Sequence, residues 1–359
     1  MNNRERQHAI LHYENYDRMP VVNFGYWEET LKKWHEEGHL TKEETKDWDK
    51  VGEKLGFDYE CCKFKERVHS FLFPGFDYEL IKEFPDGSQH IRGWDGTISL
   101  VKPGVISIQS EIDHLLKDRE SWETHYKHRL VYNDARLADL VPPKGDEENP
   151  ICLFGGSLIG NIRNMFGVVG LSYLEADDEN LYDEIIDTVA NLCFETVKKQ
   201  LEAGGKYDYV NFWEDICYNH GPLVNPSTFY RKVGPYYKKM SELFNSHGID
   251  IISVDCDGMI DALIPTWLDN GVNTMFPIEV GTWDASIKPW REKYGKDIRG
   301  IGGMNKTVFG HDYAAIDKEI ERLKPLIALG GYIPCPDHRI APDAKWENVQ
   351  YYCEKMQNL

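Results

Sequence analysis

Two aspartates, two positions apart at the end of an apolar run, are the residues of this chain whose types and spacing first suggest chemistry. In Ile251-Ile-Ser-Val-Asp-Cys-Asp-Gly258, a β-prone segment runs directly into Asp255, Cys256, Asp257 and a glycine. Side chains alternate along a strand, so Asp255 and Asp257 are expected on one side and Cys256 on the other. Two carboxylates facing one cavity call for a cation, a proton or a basic partner, because burying both unpaired is costly. The best basic partner is His338, which closes Gly330-Gly-Tyr-Ile-Pro-Cys-Pro-Asp-His338, another short apolar run ending in polar residues. The plainer alternative makes Asp255 the cap of a helix beginning near Met259.

Other polar residues follow apolar runs in the same way. Glu214 and Asp215 come after Tyr209-Val-Asn-Phe-Trp213, where a carboxylate in a partly apolar setting suits a general acid or a metal ligand. Cys335, between two prolines, is either a soft ligand or a buried inert thiol. His220, in the loop Asn219-His-Gly-Pro-Leu-Val-Asn-Pro226, is a candidate substrate contact or a solvated loop histidine. Arg163 ends Gly155-Gly-Ser-Leu-Ile-Gly-Asn-Ile-Arg163, a run without the ending of a P-loop or the spacing of a dinucleotide fingerprint. Close backbone approach to a ligand is the better reading of its glycines, with Arg163 available to an anion or to a neighbouring carboxylate. No nucleophile elbow is present.

The elements that must position these residues are legible in the rhythm of the chain. Short strands are expected at Arg18–Phe24, Gly56–Cys62, Ile151–Phe154, Tyr209–Phe212, Ile251–Val254, Thr274–Phe276, Ile298–Ile301 and Tyr332–Ile333, alternating with helix-length segments. A helix is expected over Arg4–His12 and a long polar one from about Glu28 to Leu55. Eight βα units make an α/β chain of the (β/α)8 TIM barrel type, whose chemistry gathers where strands end. Residues 78–108 differ, alternating apolar and polar around Asp86-Gly87 and Asp95-Gly96 turns. They read as an antiparallel β insertion, within a wider departure over about 63–145, on a single domain spanning 1–359.

Composition bounds the function classes. A formal charge of −19 over 359 residues argues against a nucleic-acid groove or an anionic membrane surface. The eight cysteines form no CxxC pair, and no apolar run approaches the roughly 20 residues that span a bilayer. A cytoplasmic protein with reduced thiols is expected, and the sequence leaves a homodimer open.

The run Gly330 to Val349, with Pro222-Leu-Val-Asn-Pro-Ser-Thr-Phe-Tyr230, Asp257-Gly258, Asn270-Gly271 and Gly302-Gly-Met-Asn-Lys306, resembles the uroporphyrinogen decarboxylase superfamily over nearly the whole chain. His338 falls on that family's histidine in the closing motif before Glu-Asn-Val. The resemblance implies a (β/α)8 barrel and two branches. The decarboxylases carry an arginine-rich Met-Arg-Gln-Ala-Gly-Arg-type segment, where this chain has Pro20-Val-Val-Asn-Phe-Gly-Tyr-Trp27. A polyanionic tetrapyrrole would lack its counter-charges.

The corrinoid-linked methyltransferase branch holds zinc through His-x-Cys-Gly and a later Cys. Those positions fall on Asp255, Asp257 and His338, a harder ligand set. The resemblance therefore implies transfer of a methyl group from a small methylated donor, such as an aryl methyl ether, to the Co(I) corrinoid of a partner protein. A metal, zinc by family likeness, would be held by Asp255, Asp257, His338 and Cys335. Glu214, Asp257 and His338 would be catalytic, with Tyr26, Trp27, Arg163, Phe212, Trp213 and His220 around the substrate. The alternatives are a metal-independent decarboxylase of the same fold and a non-catalytic small-molecule or corrinoid-binding protein.

Overall fold

The computed structural model describes residues 1–64, 68–106 and 108–359. Positions 65–67 and 107 of the expected insertion lie outside the described residues. All eight expected strands form. They are β1 (Val22–Asn23) and β2 (Tyr59–Glu60) early in the chain, then β7 (Cys152–Gly156), β8 (Tyr209–Trp213), β11 (Ile252–Asp255), β12 (Thr274–Ile278), β13 (Arg299–Met304) and β14 (Tyr332–Pro336). The last six hydrogen-bond in the order β14-β13-β12-β11-β8-β7, every pair parallel. Their residues are almost entirely buried, as expected where helices cover a parallel sheet. Long helices at Gly160–Asp177, Glu179–Glu202, Gly234–Ser246, Tyr313–Ile327 and Trp346–Gln357 alternate with them.

The ladder among the described residues is not a continuous closed barrel, which corrects the sequence expectation in part. β1 and β2 form a separate parallel pair of two residues each. Past β14 the seam is carried by a single parallel bridge, Tyr26 to Ile340, with the Ile340 N–H donating to Gly25 O at 3.0 Å. Between β2 and β8, the Cys62 N–H donates to the Tyr209 hydroxyl at 2.9 Å. A side chain there accepts a bond that a neighbouring strand would otherwise take.

The chain from β2 to β7 contains a four-stranded antiparallel meander, β3 (Glu79–Glu83), β4 (Gln89–Arg92), β5 (Thr97–Val101) and β6 (Ser110–His114). It reaches six residues past the expected boundary of 108. Its first two turns sit at the expected dipeptides, with Gly87 and Gly96 at φ +80° and +88° and the Asp86 and Asp95 carboxylates accepting from Ser88 N and Thr97 N. The remaining strands are β9 (Cys217–Tyr218) and β10 (Gly221–Pro222), a small hairpin after β8.

The long polar helix expected over Glu28–Leu55 is two helices, Glu28–Glu36 and Trp48–Leu55, with a 3-10 turn at Glu44–Lys46. Gly38, at φ +86°, ends the first, and the Asp47 side chain caps the second through Lys50 N. Among the described residues no helix is long and apolar enough to cross a membrane.

Gly258 fixes the turn that follows Asp257. It stands at φ +90°, and a Cβ there would lie 2.7 Å from the Cys217 carbonyl carbon and from Tyr218 N. Gly258→Ala is expected to destabilise the protein by about 2 kcal/mol or more, since a left-handed backbone and a backbone clash coincide. A urea midpoint within error of wild type would contradict this.

Candidate functional site

Strand alternation decides which residues meet. Asn211 and Trp213 on β8 pair in register with Ser253 and Asp255 on β11. The Ser253 hydroxyl donates to Asn211 Oδ1 at 2.6 Å, which places this set on a shared inner face. Asp215 and Asp257 continue the same alternation two residues beyond, where the strands give way to loops. The carboxylates of Asp215, Asp255 and Asp257 come within 4.8 Å of one another. Asp215 sits at φ +44°, a left-handed conformation that Asp tolerates better than most residues, and its Oδ1 accepts from Asp257 N at 3.0 Å.

The cluster opens into a cavity of about 620 Å³ lined by aromatic rings, among them Phe24, Trp27, Trp48, Phe154 and Trp213. His338 lies on its wall, with Nε2 3.4 Å from Asp257 Oδ2 and its ring stacked on Trp27 at 5.3 Å and 18°. Phe24 meets the edge of the same imidazole at 5.5 Å.

The electrostatics follow from crowding. Burial raises the Asp215 carboxyl to about 7, helped by Asp257, while the Asp257 N–H, Arg163 and His338 pull it the other way. Burial also pushes Asp255 well above the usual carboxylate range, with Asp215 and Asp257 adding to it and Arg339 opposing. Glu279, at the end of β12, is raised by burial and by Asp257, and it accepts from Gly258 N and Thr282 Oγ1. Asp257 Oδ1 is buried without a hydrogen-bond partner, and no protein donor reaches the Asp255 carboxylate among the described residues. Three converging carboxylates with unmet acceptor capacity fit a divalent cation of oxygen-preferring chemistry.

The structure brings Asp255, Asp257, His338, Trp27 and Trp213 together. Arg163 stands just behind, its guanidinium 5.7 Å from the Trp213 ring, its field lowering the Asp215 carboxyl. Other expected site residues lie elsewhere. Glu214 is fully buried on the opposite side of its strand, where it accepts from the N–H groups of Leu158, Ile159 and Gly160 at 2.8–2.9 Å and from Tyr237 Oη at 2.5 Å. It fills the helix N-terminus that the glycine-containing run offered to a ligand.

Phe212 is likewise turned outward, packed on Tyr237 and Phe244. Tyr26 is buried between Trp34 and Trp48. His220 is exposed at the tip of the β9–β10 hairpin, bonded to Asn219. Cys335 is buried and outside the acidic cluster, and burial raises its thiol, with Cys61 its strongest neighbour. A buried neutral thiol is a poor ligand.

Asp215, a candidate carboxylate by sequence, joins the cavity, and Asn211, Trp48, Glu60 and Arg339 are among its lining residues that the sequence did not single out. For Asn211 the signal was available: it shares the parity of Trp213, as Asp255 shares that of Asp257. Trp48 and Glu60 carried no such signal, because each reaches the cavity from a separate early segment.

An α/β fold with a parallel sheet of six strands and an aromatic cavity of carboxylates at its strand ends defines the class. The uroporphyrinogen decarboxylase (URO-D) family profile matches residues 153–359, more than half of the chain, and the protein belongs to that family. Among solved structures, a methyltransferase from Methanosarcina mazei aligns over 100% of this chain and 99% of its own, with a TM-score of 0.60 and 14% identity, a likeness of fold. A putative vitamin-B12 independent methionine synthase from Listeria monocytogenes aligns over 96% of this chain and 98% of its own, at 13% identity and a TM-score of 0.42. No curated protein matches the chain in sequence.

Two predictions follow from this geometry. Glu214→Ala should destabilise the fold by about 2–4 kcal/mol, since it leaves three buried N–H groups and a tyrosine hydroxyl unsatisfied. Chemical denaturation measures this, and a loss below about 1 kcal/mol would contradict the anchoring role. For metal-free protein, the raised Asp215 carboxyl means the native state holds a proton that the unfolded chain releases near its ordinary value of 3.8. Stability should therefore fall as pH rises from about 4 to about 7, at up to ~1.4 kcal/mol per pH unit for each such proton. Asp215→Asn should flatten the decline, and equal slopes in both proteins would refute the assignment.

Proposed function

We propose that this protein is a methyltransferase of the corrinoid-linked branch of its family, moving a methyl group from a small aryl methyl ether to the Co(I) corrinoid of a partner protein. We further infer that its eight parallel strands are those of a (β/α)8 barrel, that the chain is one domain with the β3–β6 meander as an insertion, and that it works in the cytoplasm. Eight free cysteines suit a reducing compartment. The observation that carries the functional reading is the convergence of Asp215, Asp255 and Asp257 within 4.8 Å beneath an aromatic-walled cavity.

A divalent ion such as zinc held by Asp215, Asp255 and Asp257, with His338 at its side, would supply Lewis acidity toward an ether oxygen. Everything else falls to the protein's own residues. Trp27, Trp213, Phe24 and Phe154 flank a flat ring and keep water from its faces. His338, fixed by the Trp27 stack and directed toward Asp257, holds a proton for the departing phenolate. Asp255 accepts no hydrogen bond from any described residue, which leaves its oxygens free for the cation that would offset the burial of its carboxyl. Arg163 behind Trp213 tempers the repulsion among the acids. The carboxylate of Glu214 takes no part, being occupied by the helix N-terminus.

A second reading, metal-independent decarboxylation of a small acid, draws on the Asp215 carboxyl raised to about 7, which would retain a proton to hand to a carbanion. Elemental mass spectrometry of protein purified without chelator separates the two. Methyl transfer predicts about one divalent ion per chain, lost in Asp255→Asn and Asp257→Asn, together with conversion of a Co(I) corrinoid acceptor to its methylated form. No metal in any sample after zinc is offered, with no methylation of the acceptor, would reject the methyl-transfer reading.

A further inference from the structure

Of the cationic side chains lining the cavity, Lys63 is paired with Asp49 at 2.6 Å. Arg339 is different. Its guanidinium lies 5.5 Å from the Trp27 ring and 5.7 Å from the Trp48 ring, and it forms no hydrogen bond or ion pair with any described residue. Trp48 reaches this position because Gly25 has no Cβ: one there would stand 2.6 Å from the indole. Two rings therefore hold an exposed, planar, permanently charged fork at the mouth of the cavity with its donors unspent. Arg163, the other arginine near the site, does not line the cavity.

The same cavity carries Asp215, Asp255 and Asp257, and the Arg339 charge acts on Asp255 and on Glu60, a further carboxylate of the lining. The cavity thus holds three clustered carboxylates at the strand ends and, at its exposed rim, a guanidinium whose hydrogen-bond donors are unspent. A ligand that reaches both groups places its electron-poor, methyl-bearing end at the acids and any anionic substituent at Arg339. A guanidinium fork matches a carboxylate bidentately, and the flanking indoles limit its movement.

We propose that Arg339 is the specificity-determining residue of this cavity and that the ligand's aromatic ring bears a carboxylate, which Arg339 receives. This rests on the methyl-ether reading of the same site and narrows it to aryl methyl ethers that are acids. A neutral ether of the same shape leaves the fork unpaired, while an acid without the ether still binds at the rim.

Calorimetric titration of the full chain with 3-methoxybenzoate and with the isosteric, uncharged 3-methoxybenzamide tests this. The wild type should bind the acid at least about tenfold more tightly than the amide. Arg339→Gln should reduce the acid to the level of the amide while changing the amide by less than about twofold, and Arg339→Lys, which keeps the charge without the fork, should fall between. Equal affinities in the wild type, a preference that survives Arg339→Gln, or no binding of either probe at about 10 mM would overturn the proposal. Methyl transfer to a Co(I) corrinoid is scored separately. Charge-dependent binding without transfer rejects the reaction and keeps the carboxylate subsite. Transfer from the amide as fast as from the acid, unaffected by Arg339→Gln, rejects the subsite and keeps the reaction.

Discussion

Like charge crowded into a partly buried volume is the constraint from which the rest of the site follows. Asp215 and Asp255 come from adjacent parallel strands, and Asp257 follows Asp255 by one alternation. None of the three can relax away, because Asp215 is tied to the Asp257 N–H and the next residue, Gly258, is locked against β9 and Glu279. A protein that builds such a cluster must neutralise it with protons or a cation, and its surroundings are arranged for that choice. His338 approaches from β14, Arg163 from behind Trp213 and Arg339 from the rim, each beside an aromatic ring that limits its movement.

The buried acid one position earlier has the opposite fate. Glu214 faces the helix layer, where the first turn of the helix Gly160–Asp177 presents its unbonded N–H groups. Gly160 carries no side chain because its Cβ would lie 2.1 Å from the Glu214 carbonyl oxygen. Here a carboxylate and a helix terminus satisfy each other and lock the end of β8 to the helix that follows β7. Two neighbouring acids on one strand thus serve structure and chemistry separately, divided by the pleat.

Much of the fold was legible because its elements are short-range. Each of the eight expected parallel strands forms, since each is a β-prone run bounded by turn residues, and the Asp-Gly pairs marked the meander's turns. The polar stretch over Glu28–Leu55 reads as one helix from its helix-forming composition, whereas in the structure Gly38, in a left-handed conformation, follows the end of the first of two helices. Among site residues, Asp255, Asp257 and His338 were recognisable because they end apolar runs. Cys335 ends one as well, yet it is buried beside Cys61 rather than at the acids.

The sequence by itself determined the alternation of strands and helices, the acidic and polar residues at strand ends, and the family to which the chain belongs, because these depend on local pattern and composition. Only the tertiary structure decided which of those residues share a cavity. Parity along β8 separated Asp215 from Glu214, register between β8 and β11 brought Asp215 to Asp255, and packing of Trp27 and Trp48 positioned Arg339. Such pairings join positions far apart in the chain, and their distances are set by how strands and helices pack, which no single stretch of sequence specifies.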